Sequence, residues 1–247
     1  MLYEDTHLLA LEKPSGLLTS IDRCDPARPN LMKLLHDGIA GQKPWAVERG
    51  LSYLSNAHRL DSEASGVLLL ARSKETLIQL ADLLGSEKVS RKYVALVQGS
   101  PVEDTFQVDS KLAPHPKTPQ LMHVDRKRGK KSTTRFSTLE KFARWTLLRC
   151  EVFPDRAHQV RVHLRSIGLP IVGDGLYGGK PLLLSKLKPD YRGKPGDPEQ
   201  PLVQRLALHL DELSFQHPST GENVVINSPS PKVFEVGLKY LRRYASS

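Results

Sequence analysis

The feature that most constrains this chain is the join, within residues 58–72, of a charged head to an unbroken aliphatic run. The head is His58-Arg59-Leu60-Asp61-Ser62-Glu63, and Ala64-Ser65-Gly66 leads from it into Val67-Leu68-Leu69-Leu70-Ala71. A short apolar run with no polar alternation predicts a strand covered on both faces, which must lie inside a sheet with packing layers on either side. An acid just ahead of such a strand sits on a rigid mount and can still face outward, an arrangement suited to chemistry. Taken alone, the same residues also describe an Asp-Ser turn entering a core strand.

The flanking patterns place this strand among others. Residues 7–12 predict a strand ended by the turn Lys13-Pro14-Ser15-Gly16. Asn30 predicts the N-cap of a helix reaching about Gly38, with Leu31, Leu34, Leu35 and Ile39 at helical spacing. Residues 41–57 read as loop. Ser73 predicts a second N-cap, for a helix with Leu77, Leu80 and Leu84 on one face, and residues 91–97 a further strand. From 101 to 131 the pattern weakens, with several prolines and the basic run 126–131, which reads as a solvated hairpin tip or a phosphate-contacting surface. Residues 133–142 and 145–153 predict paired strands. Residues 158–167 predict a helix with Val160, Leu164 and Ile167 inward and with His158, Arg161 and Arg165 near one another. Residues 180–201, rich in Pro, Gly and charge, predict a surface insertion. Two last strands follow at 206–215 and 223–226, then an amphipathic helix over 232–244 with Val233, Val236, Leu238 and Leu241 inward. Many strands with few helices favour one α+β domain over residues 1–247.

Charge narrows the partners. A formal net charge of +9 and a pI near 9.5 suggest a polyanion, nucleic acid first and a membrane surface second. No apolar run approaches the roughly 18 residues of a membrane span. The N-terminus lacks the basic and apolar regions of a secretion signal. The two cysteines, Cys24 and Cys150, have no metal-ligand spacing and cannot staple a chain of this size, so a reducing cytoplasm is expected.

Several separated segments then line up with one family. They are Leu9-Ala10-Leu11-Glu12-Lys13-Pro14-Ser15-Gly16, His58-Arg59-Leu60-Asp61 with Ser65-Gly66, and Arg91-Lys92-Tyr93-Val94-Ala95-Leu96-Val97. Arg156-Ala157-His158-Gln159-Val160-Arg161-Val162-His163-Leu164 follows, then Pro170-Ile171-Val172-Gly173-Asp174 with Tyr177-Gly178, and Leu208-His209. In this order, and over nearly the whole chain, the sequence resembles the RluA-type RNA pseudouridine synthases.

The resemblance implies an α+β catalytic fold, with a long mixed, mostly antiparallel sheet flanked by helices and a central cleft. It implies isomerisation of a uridine within RNA to its C-glycoside, without cofactor or metal. The base leaves the ribose, turns in the pocket and rejoins through carbon 5. By resemblance Asp61 is the catalytic carboxylate, as nucleophile or in initial proton abstraction, and Arg161 is the arginine that pairs with it. Tyr93 matches the active-site aromatic, able to stack on an extruded pyrimidine or to share in proton movement. Arg59 matches a residue that helps fill the space left by the flipped base. His58, Arg156, His158 and Gln159 are candidates for supporting the loop or positioning RNA. Many relatives carry an S4-type RNA-binding module; this chain starts almost at the first matching strand, so none is expected. RNA capture by a monomer then falls to its own basic surface, with Lys130 and Lys131 in the run 126–131 and the insertion segment 186–194 as candidates.

The chain departs from the family pattern at Ala64, where a hydroxyl residue usually precedes Ser65, at Asp155 and Ala157 around Arg156, and at Glu12. The missing hydroxyls admit a second reading, a weak or inactive member acting as an RNA-binding chaperone or ribosome assembly factor. A third, glycoside hydrolysis, requires a carboxylate pair, for which the head offers only Asp61 with Glu63.

Overall fold

The aliphatic run forms the strand Ser65–Ala71, buried at every position, as its lack of polar alternation requires. A computed structural model describes residues 1–22, 25–86, 88–118, 120–188, 190–193 and 196–246. Cys24 and Lys194 lie outside the described residues. The strands in chain order are β1 (Tyr3–Glu4), β2 (Leu8–Lys13), β3 (Ser55–Asn56), β4 (Ser65–Ala71), β5 (Ser90–Gln98), β6 (Thr105–Pro114), β7 (Met122–Val124), β8 (Lys130–Lys141), β9 (Trp145–Phe153), β10 (Leu208–Gln216) and β11 (Asn223–Asn227). The helices are α1 (Leu31–Ala40), α2 (Pro44–Val47), α3 (Lys74–Gly85), α4 (Gln159–Ser166) and α5 (Lys232–Tyr244). This is an α+β chain. It divides into two units, Met1–Arg91 with Leu210–Pro229, and Lys92–His209 with Ser230–Ser247.

In the first unit β4 is the inner strand. β2 pairs with it antiparallel, Leu9 opposite Leu70 and Lys13 opposite Gly66, and β1 extends the sheet beyond β2. β10 lies on the other side of β4, followed by β11, antiparallel to β10. Gly66 adopts φ +122°, and a Cβ there would stand 2.1 Å from the Leu210 carbonyl oxygen. Only glycine lets the two backbones approach this closely. Leu9, Leu68 and Leu70 pack into one core with Met32 of α1, Ala46 of α2, Leu51 and Leu54. Asn30 and Ser73 cap α1 and α3 as their sequence positions predict. Their side chains accept the Lys33 N–H at 2.9 Å and the Thr76 N–H at 3.1 Å, each worth roughly 1 kcal/mol.

The second unit holds the antiparallel order β5-β9-β8-β6-β7. Tyr93 stands opposite Cys150, and Ser110 opposite Ser132. α4 packs against β6 to β9 with residues 159–164 all buried.

Several elements differ from the sequence reading. Residues 41–57 contain α2, started by Pro44, and the short β3. β6 crosses the stretch whose pattern weakens. Along it only Leu112 is fully buried, although Phe106, Val108 and Leu112 share one face, and the strand pairs with β8 on one side and β7 on the other. Ile167 is exposed, because α4 ends at Ser166. On α5 the buried positions are Phe234, Gly237, Leu238 and Leu241, while Val233 and Val236 face solvent. The inward stripe is one residue out of phase with the reading because Phe234, larger than either valine, takes the inward place. In the insertion, Leu182 and Leu187 are buried and the bridge from Leu182 to Val203 ties its two ends.

Candidate active site

Asp61 lies on the turn ahead of β4, and the first unit holds that turn from below. Lys13, the last residue of β2, is fully buried, yet its ammonium donates to three backbone carbonyls: Pro14 at 2.9 Å, Leu17 at 2.7 Å and Ser62 at 3.2 Å. A lysine has three such protons, so the count is complete. The Ser62 carbonyl also accepts the Gly16 N–H at 2.7 Å, and the Ser15 hydroxyl donates to the Glu63 carbonyl. The Thr19 hydroxyl takes the Leu60 N–H and lies within reach of its carbonyl, both at 3.2 Å. The Ala64 N–H closes the turn onto the Asp61 carbonyl at 3.2 Å. Segment 13–19 is therefore a clamp on segment 60–64, and it places hydroxyls there from Ser15 and Thr19 although position 64 has none.

The electrostatics follow from the burial. Burial pushes the Lys13 ammonium down to about 8, and the negative charge of Asp61 works against that shift. Lys13 thus stays mostly charged at neutral pH, a cation beneath the turn that carries Asp61. Arg59, two residues ahead, is exposed. The His58 ring nitrogen Nε2 accepts the Leu69 N–H at 3.1 Å. Burial first, then the Arg91 charge, hold the imidazole near 3, so it is neutral and offers no charge to a phosphate.

In the second unit the proposed partner arginine is wholly interior. Arg161 and Asp174 are 2% and 0% exposed, and two parallel hydrogen bonds join them: Nε–H to Oδ2 and Nη2–H to Oδ1, both 2.8 Å. This fork-on-carboxylate geometry fixes the guanidinium plane. The Tyr177 ring lies against it, 5.0 Å from centroid to Cζ. Asp174 Oδ1 also takes the Tyr177 N–H at 3.3 Å, capping the 3-10 turn Gly175–Tyr177. The Tyr177 hydroxyl accepts the Met122 N–H at 2.8 Å and hydrogen-bonds His158 Nδ1 at 2.7 Å. Arg161 is thus no exposed helix charge. Arg165, one turn on, is exposed, with its guanidinium beside Gly178.

The remaining candidates sort by environment. Tyr93 is buried on β5. Gln159 is buried; its amide donates to the Thr133 carbonyl and the Thr134 hydroxyl, and its carbonyl accepts the Arg156 N–H. His158 carries a left-handed φ of 54° at the start of α4. Lys130 and Lys131 are exposed at the start of β8. Sequence reasoning gave no role to Lys13 or Asp174, although both stand inside the matched motifs. A lysine at a strand end reads as surface, and only the fold shows it interior. Among the described residues no cluster of three or more His, Cys, Asp or Glu could hold a metal ion, and no helix is long and apolar enough to cross a membrane.

Comparison with known proteins decides the class. The family model for RNA pseudouridylate synthases matches residues 7–166. The chain is 31% identical over 242 residues to the uncharacterized RNA pseudouridine synthase YlyB of Bacillus subtilis, covering 98% of this chain and 72% of that protein. The chain belongs to the RNA pseudouridine synthase family. It is of the RluA type and an isomerase of RNA uridines. It is also 34% identical over 253 residues to the ribosomal large subunit pseudouridine synthase D of Nitrosomonas europaea, covering all of this chain and 66% of that one. In fold it is similar to human RNA pseudouridylate synthase domain containing 4, with a TM-score of 0.71 at 23% identity, covering 98% of this chain and 92% of that one.

Proposed function

We propose that this protein converts a uridine of large-subunit ribosomal RNA to pseudouridine, with Asp61 as the catalytic carboxylate. The observation that carries the reading is Asp61 itself: an acid on a turn clamped from below by buried Lys13, within the span matched by the family model. The ribosomal target is supported by a relative of that name whose match covers this whole chain, and by the net charge of +9.

The chemistry needs little beyond these groups. The N1–C1′ glycosidic bond breaks, the base turns, and a C5–C1′ bond forms. The C5 proton is lost and N1 gains one, so the reaction is balanced without cofactor or redox partner. An ionised Asp61 serves as nucleophile or in initial proton abstraction. Tyr93 supplies a face for the extruded base, and Arg161 is the cation that compensates the carboxylate. Arg59, exposed on the same loop, fills the space that the flipped base leaves. The whole of residues 1–247 serves this one reaction, as a cytoplasmic monomer.

Mapping pseudouridine in RNA from cells with and without the protein tests the target. A site lost from transfer RNA instead of ribosomal RNA would replace it. Asp61→Asn should bind RNA and form no pseudouridine, and product formation at the wild-type rate would remove Asp61 from the chemistry. Wild-type protein that binds RNA but never turns over would leave the chaperone reading in its place.

A further inference from the structure

We propose that a groove on the second unit, between β6, β8 and the turn after β7, binds the sugar–phosphate backbone of the RNA substrate. The proposal rests on the RNA reading above and gives it a place on the protein surface. The groove encloses about 630 Å³, and Lys111, Arg126 and Lys131 line it together with hydroxyls of Ser132, Thr133 and Ser166.

The pairing of β6 with β8 sets Lys111 directly opposite Lys131. Like charges in that position repel and weaken a sheet unless something negative lies between them. Among the described residues, none of the three cations has a carboxylate partner. The groove's own carboxylate, Asp109, is held by neutral donors and pairs with none of the three: the Thr133 hydroxyl and then the Gln107 amide donate to it and hold it below the usual carboxylate range. Asp125 caps its own turn, accepting the N–H groups of Lys127 and Arg128 at 2.9 Å each. The turn that presents Arg126 is seated against β6, where Gly129 stands so close that a Cβ would lie 2.6 Å from the Lys111 carbonyl carbon. Three cations thus face one carboxylate, Asp109, and the groove keeps a net positive charge. It is also held in place before any ligand arrives.

The lining chooses the ligand. Among the described residues no aromatic side chain lines the groove, so they offer no surface on which a base would stack. The three cations match phosphate oxygens, and contacts of that kind position a nucleic acid without reading its sequence. The assignment also divides the basic run. Lys131 lines the groove, whereas Lys127, Arg128 and Lys130 do not.

The test compares two triple variants of equal net charge in RNA binding across a range of salt. K111Q/R126Q/K131Q should lower the slope of log K against log salt by about 2 to 3, from 0.7–0.9 per phosphate contact, and weaken binding at physiological salt tenfold or more. K127Q/R128Q/K130Q should produce less than a third of that change. Without RNA, K111Q alone should raise the thermal midpoint by relieving the cross-strand repulsion. Equal losses from the two triples would reduce the effect to bulk charge and overturn the groove, as would a lowered midpoint in K111Q. Wild-type turnover is measured beside them. No pseudouridine with a groove-dependent slope would remove the catalytic reading and leave the groove, and turnover with an unchanged slope would do the reverse.

Discussion

Removing the Asp174 carboxylate tests how the proposed catalytic arginine is held. Arg161 and Asp174 are fully interior and joined by two hydrogen bonds of 2.8 Å. Breaking a buried ion pair from one side strands the other charge and costs about 3–5 kcal/mol. For a chain of 247 residues, 1 kcal/mol shifts the unfolding midpoint by roughly 2–4 °C. Asp174→Ala should therefore lower that midpoint by about 6–20 °C, read by circular dichroism and calorimetry. The double variant Arg161→Met with Asp174→Ala should recover part of the loss, because the guanidinium that lost its partner is removed with it. Asp174→Asn, which keeps an acceptor, should fall between. Well below the melting temperature, the Asn variant should still bind RNA while pseudouridine formation falls by up to 10²-fold, the scale set by a misplacement near 1 Å. A loss under about 1 kcal/mol in Asp174→Ala, or a double variant no better than the single one, would refute the reasoning.

Two further outcomes follow from buried polar groups. Lys13→Met keeps the apolar stem and leaves the carbonyls of Pro14 and Leu17 without their donor, while the Ser62 carbonyl keeps the Gly16 N–H. Each buried unsatisfied group costs roughly 1–3 kcal/mol. The variant should lower kcat for pseudouridine formation by more than it changes RNA affinity, and equal effects on both would deny Lys13 a part in setting the Asp61 turn. His163 is buried between the hydroxyls of Ser110, Ser132 and Thr134, and burial holds its imidazole near 4 despite the Asp109 charge. Since the folded value lies below the unfolded one, the unfolded chain takes up the proton first. The stability is complete above about pH 6.5 and is lost as pH falls toward 4, by about 2 kcal/mol at pH 5. Urea unfolding at pH 7 and pH 5 should show His163→Gln losing that share of the pH dependence. An unchanged dependence would place the proton elsewhere.

Much of the local structure was legible because its causes are local. Asn30 and Ser73 cap the helices their spacing predicts, since a cap needs only the N–H three residues on. β4 announced itself because a strand buried on both faces has no polar position to show. β6 did not, although Phe106, Val108 and Leu112 alternate with polar residues along it, because only Leu112 is fully buried and prolines stand at 101, 114 and 116 around it. The phase of α5 was missed because Val233, Phe234, Val236 and Leu238 together admit two inward stripes, and only the groove they enter selects one.

The candidate site divides in the same way. The reaction class was legible in the sequence, because its motifs, in their order along the chain, resemble one family and the family model matches residues 7–166. The supports of those residues were decided only in three dimensions. Lys13 lies 49 positions from Ser62 yet donates to its carbonyl, and Asp174 lies 13 positions beyond Arg161 yet holds its guanidinium. Lys111 and Lys131 become neighbours only through the pairing of β6 with β8. A sequence displays which groups can react. Burial and pairing, which set the charge each group can keep and the direction it is held, arise from contacts between distant segments and exist only once the chain has closed on itself.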